Sequence, residues 1–285
     1  MKNLSIAIPA SIISDIPHLR EKTSRIGLIG RTAAIFRVDE IIIYPDKLHA
    51  NQTEDIKTIS TLLSYMETPQ YLRKALFKLN PILQYAGILP PLRTPHHTRN
   101  RKSKDLKIGE YREGITVSKV QYGMMIDIGI EQPVLARNVQ LSIGKRVTTR
   151  ITQAGKKIEV EVADENQISA YWGYKVTVEK HSLGKILKDT PFDLRIATSK
   201  YGEPFHRVSQ AISEKWAASN RILVIFGSPS TGLNDIVAQE GLHLDELVHF
   251  TVNTIPMQGT ETVRTEEALI ATLACFNALI PAEAT

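Results

Sequence analysis

The chain of 285 residues contains one cysteine, Cys275. A lone thiol excludes an intramolecular disulfide, so packing alone has to hold the fold, as expected of a reducing cytosolic compartment. Cys275 falls on an apolar helical stripe, where it reads as a packed residue before a nucleophile. No apolar run comes near the roughly 18 residues that would span a bilayer. The opening stretch MKNLSIAIPA lacks the basic start and long apolar centre of a secretory signal. A soluble, cytoplasmic protein with no membrane attachment is expected.

Several chemistries lack their residues as well. Gly227 and Gly232 in GSPSTGLND have the spacing of a phosphate loop, but Leu233 and Asn234 stand where a lysine and a metal-holding hydroxyl belong. A nucleoside triphosphatase is therefore not expected. His96 and His97 are adjacent and have no cysteine companions, a poor arrangement for structural zinc, and no metal is expected. No G-x-S-x-G elbow occurs, and the other histidines stand singly.

What is present is an ordinary globular composition, 42% hydrophobic and 23% charged, without internal repeats. LSIAIPA reads as a buried strand and EIIIYP at 40–45 as another. Between them Pro17–Phe36 can form a helix or a helix and turn, with Gly27 and Gly30 weakening the helix. From Thr53 to Leu79, Ile56, Ile59, Leu62, Leu63, Met66, Leu72, Leu76 and Leu79 recur at helical spacing, with a break near Pro69. Strand, helix, strand, helices is the order of a parallel α/β layer.

Between about Ile108 and Lys180 the texture changes to five short strands, GITVSKV, GMMIDIG, KRVTTRIT, KKIEVEVA and YKVTVEK. In the fourth, Ile158, Val160 and Val162 alternate with Lys157, Glu159 and Glu161, giving one buried and one wet face. Glycine turns between such strands suggest a small closed barrel of the OB type, a fold used on oligonucleotides and equally as a plain scaffold. After Lys180, DLRIATS, RILVIFG and HFTVN read as strands, and Glu203–Ala217, Leu233–Gln239 and Thr265–Ile280 as helices. The last carries Leu269, Leu273, Phe276 and Ile280 on one face. The fold class is α/β: one domain built from residues 1–90 and 183–285, with a basic linker and an all-β barrel inserted at 91–182.

Charge is concentrated in LRTPHHTRNRKSKDLK, where Arg93, Arg99, Arg101, Lys102, Lys104 and Lys107 face only Asp105, a net of +5 that equals the net charge of the whole chain. Such a strip can displace counterions from a phosphate backbone without reading sequence. The other reading is a solvated, disordered loop.

In open α/β sheets, ligands gather at the carboxyl ends of strands. Three polar loops follow strands here: ATSKYGEP, GSPSTGLND, and NTIPMQGTETVRTEEA over Asn253–Ala268. They are rich in backbone donors and acceptors, as suits a neutral heterocycle and ribose. Gly227 and Gly259 would permit close backbone approach or positive φ. Thr265 could cap the last helix, with Glu266 and Glu267 at its positive end either as plain helix electrostatics or as neighbours of a bound cation.

With GRTAAIFRVDEIIIY at 30–44 and PILQYAGILPPLR at 81–93, VIFGSPSTGL and NTIPMQGTETVRTEEA make the chain resemble the SPOUT class of RNA methyltransferases. It is most similar to the archaeal and eukaryotic group with an OB-like insertion, related to uridine ring-nitrogen-3 methyltransferases of ribosomal RNA. The resemblance implies a C-terminal trefoil knot and S-adenosylmethionine as cofactor. By motif, the cofactor contacts would be Ser199, Tyr201, Gly202, Gly227, Ser228, Asn253, Thr254, Ile255, Gln258, Gly259 and Thr260. Arg31 is the candidate catalytic residue, stabilising a uridine anion, with a phosphate-contact or helix-end role as the alternative. RNA contacts are expected from Arg37, Arg93, Arg99, Arg101, Lys102, Lys104 and Arg264. The partners implied are RNA, ribosomal first and transfer RNA second, and a second copy of the chain in a homodimer. A non-catalytic RNA-binding assembly factor on the same fold is the competing reading.

Overall fold

The computed structural model describes residues 2–155, 157–164 and 167–279. In chain order the elements are β1 (Asn3–Pro9), α1 (Leu19–Ile35), β2 (Glu40–Tyr44), α2 (Thr53–Glu67), α3 (Gln70–Leu76), β3 (Tyr111–Val120), β4 (Gly123–Asp127), β5 (Val134–Arg137), β6 (Arg146–Gln153), β7 (Glu159–Val162) and β8 (Lys175–Val178). They continue with α4 (Leu183–Asp189), β9 (Leu194–Pro204), α5 (Phe205–Ala218), β10 (Arg221–Ile225), α6 (Leu233–Ala238), α7 (Leu244–Leu247), β11 (Phe250–Asn253) and α8 (Thr265–Leu279). Two compact units result, one from residues 2–64, 82–90 and 174–279, the other from 65–81 and 91–173.

The first unit is built on a six-stranded sheet in the order β11-β9-β10-β1-β2-β8, parallel throughout. Parallel strands are covered on both faces and read as continuous apolar runs, and β1 and β2 obey this. Ile6 and Ile8 on one side and Ala7 on the other are all buried, as are Ile41 and Ile43 against Ile42 and Tyr44. Ala7, Ile42, Tyr44, Leu223 and Ile225 form a core with Leu183, Ile186, Leu187, Leu233, Ile236, Val237, Leu244 and Leu247 of α4, α6 and α7. Helix α1 runs unbroken through Gly27 and Gly30. A Cβ at Gly27 would come within 2.9 Å of the Pro90 ring, so the residue that lowers helix propensity admits a close neighbour.

The second unit centres on a closed barrel in the order β3-β4-β5-β7-β6, with β5 and β7 parallel and the other pairs antiparallel. Its core is Leu106, Met124, Ile126, Ile128, Val134, Ala136, Val147, Ile151 and Val160. Two expectations for the barrel strands fail. YKVTVEK is β8, paired with β2 at the edge of the parallel sheet, and the fifth barrel strand is the four-residue VLAR of β5. Alternation records that one face is dry, without recording which sheet dries it. At the end of β7 the pattern also lapses, since Val162 is exposed.

Other elements differ in detail. Leu79, expected on a helical stripe, lies beyond α3 and is fully exposed. Leu269, Leu273 and Phe276 form the buried face of α8, while Ile280 lies outside the described residues. The short helices α4 and α7 carried too few turns to show a helical period. The basic strip is tied down rather than loose. Arg112 Nη1 donates to the Asn100 carbonyl at 3.0 Å, and the Ser103 amide donates to Glu131 Oε2 at 2.9 Å.

Candidate functional site

Strands β10, β9 and β11 are neighbours and parallel, so their carboxyl ends share one edge of the sheet. The first of the three expected loops is not a loop between elements. β9 continues through it, and residues 198–202 form a bulge between the pairs Ala197–Thr251 and Glu203–Val252. Gly202 makes the bulge possible, because a Cβ there would lie 2.7 Å from the Thr251 carbonyl carbon and oxygen and from the Val252 nitrogen. Inside the bulge the Tyr201 amide donates to Ser199 Oγ at 3.2 Å.

The second loop closes on itself. The Ser228 amide donates to the Thr231 carbonyl at 3.1 Å, and the Thr231 amide returns a bond to Ser228 Oγ at 2.9 Å. Its entry is held by Tyr44, whose hydroxyl donates to the Phe226 carbonyl at 2.7 Å. Burial raises that phenol well above its ordinary range, so it stays a donor. Gly227 has no positive φ but is tight, with the Thr231 carbonyl 3.3 Å from a built Cβ. Gly259, in the third loop, has no positive φ, so that part of the expectation does not hold, and nothing lies within 4 Å of a Cβ built on it.

The third loop ties the other two together. Asn253 Nδ2 donates to the Lys200 carbonyl in the first loop at 2.8 Å, and Asn253 Oδ1 accepts the Ile255 amide at 2.9 Å. Gln258 Nε2 donates to the Thr260 and Glu261 carbonyls, and Thr260 Oγ1 to the Thr262 carbonyl. Thr254 Oγ1 lies 2.9 Å from Thr272 Oγ1 on α8. Thr265 does not cap α8: its hydroxyl donates to the Gly227 carbonyl at 3.2 Å. The cap is reciprocal between Arg264 and Glu267, the Arg264 amide donating to Glu267 Oε2 at 2.9 Å and the Glu267 amide to the Arg264 carbonyl at 3.0 Å.

The polar side chains expected as ligands are thus largely spent on shaping loops, which leaves main chain and apolar surface to face a ligand. Tyr201 is 83% exposed and Met257 94% exposed, on two loops joined by the Asn253–Lys200 bond.

Glu266 differs from the reading of plain helix electrostatics. It is buried, and its Oε1 accepts from Arg25 Nε on α1 at 3.1 Å, an ion pair with both side chains 8% exposed. Arg25 Nη1 also binds Asp15 Oδ1 at 2.7 Å and the Ile12 carbonyl at 2.8 Å. This pair borders a cleft of about 660 Å³ walled by Asp15, Leu28, Ile88, Pro90 and Arg264. Nothing in the sequence links Arg25 to Glu266, which lie at opposite ends of the chain.

Arg31 is half-buried on α1, six residues beyond Arg25 and so about 9 Å further along the axis. Arg37 follows the end of that helix at φ 55° and is exposed. Of the remaining expected RNA contacts, Arg264 lies at the cleft of the first unit and the others fall on the second. Arg93, at φ 54°, Arg99, Arg101, Lys102 and Lys104 are all exposed. His96 is buried, and both His96 Nε2 and His97 Nε2 donate to the Glu67 carbonyl, at 2.8 and 2.7 Å. Among the described residues no group of three or more His, Cys, Asp or Glu is arranged to hold a metal ion. Cys275 is half-buried, and burial raises its thiol, which disfavours the thiolate. No helix among the described residues is long and apolar enough to cross a membrane.

Comparison with known proteins adds the chemistry. Residues 3–276 match the family described as "Putative RNA methyltransferase". The chain is 33% identical over 307 residues to the mouse 28S rRNA (uridine-N(3))-methyltransferase, covering 96% of this chain and 76% of that protein. The human protein of the same description is 32% identical over 310 residues, with 96% and 77% coverage. An uncharacterized protein of the archaeon Halobacterium salinarum is 32% identical over 287 residues, 94% of this chain and 96% of that one. The match over nearly all of its length, together with the paired loops at the sheet edge, means that this chain belongs to that RNA methyltransferase family.

Proposed function

We propose that the protein transfers a methyl group from S-adenosylmethionine to ring nitrogen 3 of a uridine in ribosomal RNA. The observation that carries this reading is the locked set of loops, in which Asn253 joins the third loop to the first and Thr265 joins it to the second. The donor set suits the cofactor. Main-chain groups of residues 226–232 and 253–259 can meet the adenine and ribose, and Ile255, Met257 and Tyr201 offer apolar cover for an aliphatic sulfonium. Gly259, with open space around its α-carbon, admits a ligand against the backbone. Ser199, Tyr201, Gly202, Gly227, Ser228, Asn253, Thr254, Ile255, Gln258, Gly259 and Thr260 are the proposed contacts, within a C-terminal trefoil knot.

The cofactor, when bound, supplies an electrophilic methyl carbon. The chain's task is to align the acceptor with it and exclude water. Methyl transfer forms the N3–carbon bond, breaks the sulfur–carbon bond and releases the N3 proton. Arg31 is proposed to stabilise the uridine anion through the adjoining carbonyl oxygen. The residues around the parallel sheet are the proposed methyl-transfer domain, and the barrel with its basic strip captures RNA. A homodimer would let Arg31 act across subunits.

The test is incubation of the purified protein with radiolabelled S-adenosylmethionine and unmodified ribosomal or transfer RNA, followed by nucleoside digestion. Label in 3-methyluridine is the expected result. Cofactor binding without transfer to either RNA would favour a non-catalytic assembly factor on the same fold.

A further inference from the structure

The second unit carries a cavity of about 350 Å³ whose walls include Pro95, Thr98, Glu110, Tyr111, Gln167 and Trp172. Its volume lies in the range of small-ligand sites. The Tyr111 and Trp172 rings are 6.2 Å apart between centroids and inclined at 74°. Two such rings form a corner: a planar group lying flat on one is met edge-on by the other, a favoured aromatic geometry.

Trp172 is held from behind. Its indole Nε1 donates to Glu113 Oε1 at 2.7 Å, and Glu113 also accepts from Thr148 Oγ1 and Arg146 Nε, both at 2.6 Å. The indole's one polar atom is spent inward, so the ring has only its carbon surface to offer. Glu110 is similarly engaged, with Oε1 accepting from Arg112 Nε at 2.8 Å and Oε2 from the Lys107 amide at 3.2 Å. Arg112 itself is fully buried, and its Nη2 has no partner. The Glu110 charge is thereby offset, while its oxygens keep lone pairs for a donor in the cavity.

The basic strip passes along one wall. Thr98 lines the cavity, and Arg99 and Arg101 follow it on either side of Asn100, whose carbonyl is pinned by Arg112 Nη1. Arg99, Arg101, Lys102, Lys104 and Lys107 are exposed and form no ion pair among the described residues. An aromatic corner beside a fixed row of unpaired cations matches a base with its flanking phosphates.

We propose that this corner binds one unstacked nucleotide of single-stranded RNA, separate from the nucleotide to be methylated. The base stacks in the angle of Tyr111 and Trp172, its edge meets Glu110 and Gln167, and the flanking phosphates meet Arg99 and Arg101. A proline-rich peptide also suits aromatic corners, but the strip's net charge of +5 favours a polyanion. The proposal rests on RNA being the partner and not on methyl transfer. Tyr111→Ala is expected to leave S-adenosylmethionine binding unchanged, so failure here would leave the reading of the first unit standing.

The experiment measures binding of fluorescein-labelled oligouridylate and oligoadenylate of about ten nucleotides to the full chain, across about 50 to 200 mM salt. Tyr111→Ala is expected to weaken binding about tenfold or more, with no change in the slope of log affinity against log salt, because no charge is lost. The double variant Arg99→Ala, Arg101→Ala is expected to flatten that slope by about 0.7 for each contact removed. Saturating RNA is expected to quench Trp172, read in a Trp216→Phe background and, as a check on folding, as the difference between wild type and Trp172→Phe. Wild-type affinity in Tyr111→Ala overturns the proposal. So does Trp172 emission that RNA leaves unchanged, or that only a proline-rich peptide quenches.

Discussion

Glu67, at the end of α2, is expected to decide how the second unit responds to acid. Its carboxylate accepts from Arg146 Nη1 and Nη2, the latter at 3.0 Å, and from His96 Nε2 at 3.0 Å. Burial alone would push this carboxyl up, but the hydrogen bonds from His96 and Arg146 outweigh it and hold it at about 2. Relative to an ordinary 4.5, that corresponds to about 3 kcal/mol of stability at neutral pH. The contribution is complete above 4.5 and is lost as pH falls towards 2, because the unfolded chain takes up the proton first. His97 acts in the same direction at higher pH. Burial, and next the neighbouring His96, lower it from 6.5 to about 4, so stability falls as pH drops through that window.

Glu67→Gln keeps the shape and removes the charge, leaving Arg146 with Glu113 alone. The expected loss at pH 7 is about 3 kcal/mol, at the lower end for a broken buried pair. The assay is urea unfolding at a series of pH values, followed by Trp172 emission in a Trp216→Phe background so that the second unit is read separately. The gap between wild type and variant should close as pH approaches 2. A variant within about 0.5 kcal/mol of wild type at pH 7, or a gap that does not vary with pH, would refute the reasoning.

Further outcomes follow from the first unit and from His97. Replacing His97 with asparagine should flatten the stability profile between pH 6.5 and 4, measured by the same unfolding series. Arg25→Ala would leave Glu266 buried without its ion pair and is expected to cost about 3 to 5 kcal/mol, read by chemical denaturation. Gly259→Ala should change stability by less than about 0.5 kcal/mol, since nothing lies within 4 Å of the new methyl, yet reduce S-adenosylmethionine affinity in calorimetry. Unimpaired binding would remove Gly259 from the proposed contacts. Gly202→Ala, by contrast, drives a methyl to 2.7 Å from the Thr251 backbone and should cost about 1 to 3 kcal/mol in thermal or chemical unfolding.

Much of the first unit was legible because its signals are local. Runs such as IAI and IIIY are short, apolar and β-branched, and in a parallel sheet both faces are buried, so the run is itself the signal. Thr265–Leu279 announced its buried face through Leu269, Leu273 and Phe276. The barrel was half legible. Its alternating segments showed strands, but alternation is blind to partner choice, so β8 was credited to the wrong sheet and the short β5 was missed. The third loop stood out by composition, while the first, legible as a polar stretch after a strand, is a bulge within β9 that only the pairing of β9 with β11 reveals.

By itself, then, the sequence determined the class of the fold, the lack of a second cysteine for a disulfide, and the polar stretches that follow β9, β10 and β11. These depend on residue types and on periods of two or 3.6, which are written along the chain. Tertiary structure alone decided the pairs that join distant residues: Arg25 with Glu266, Glu67 with Arg146 and His96, and Tyr111 with Trp172. A buried charge or an aromatic corner has its energy only when desolvation and geometry bring both members together, and neither member carries a mark of the other in the sequence.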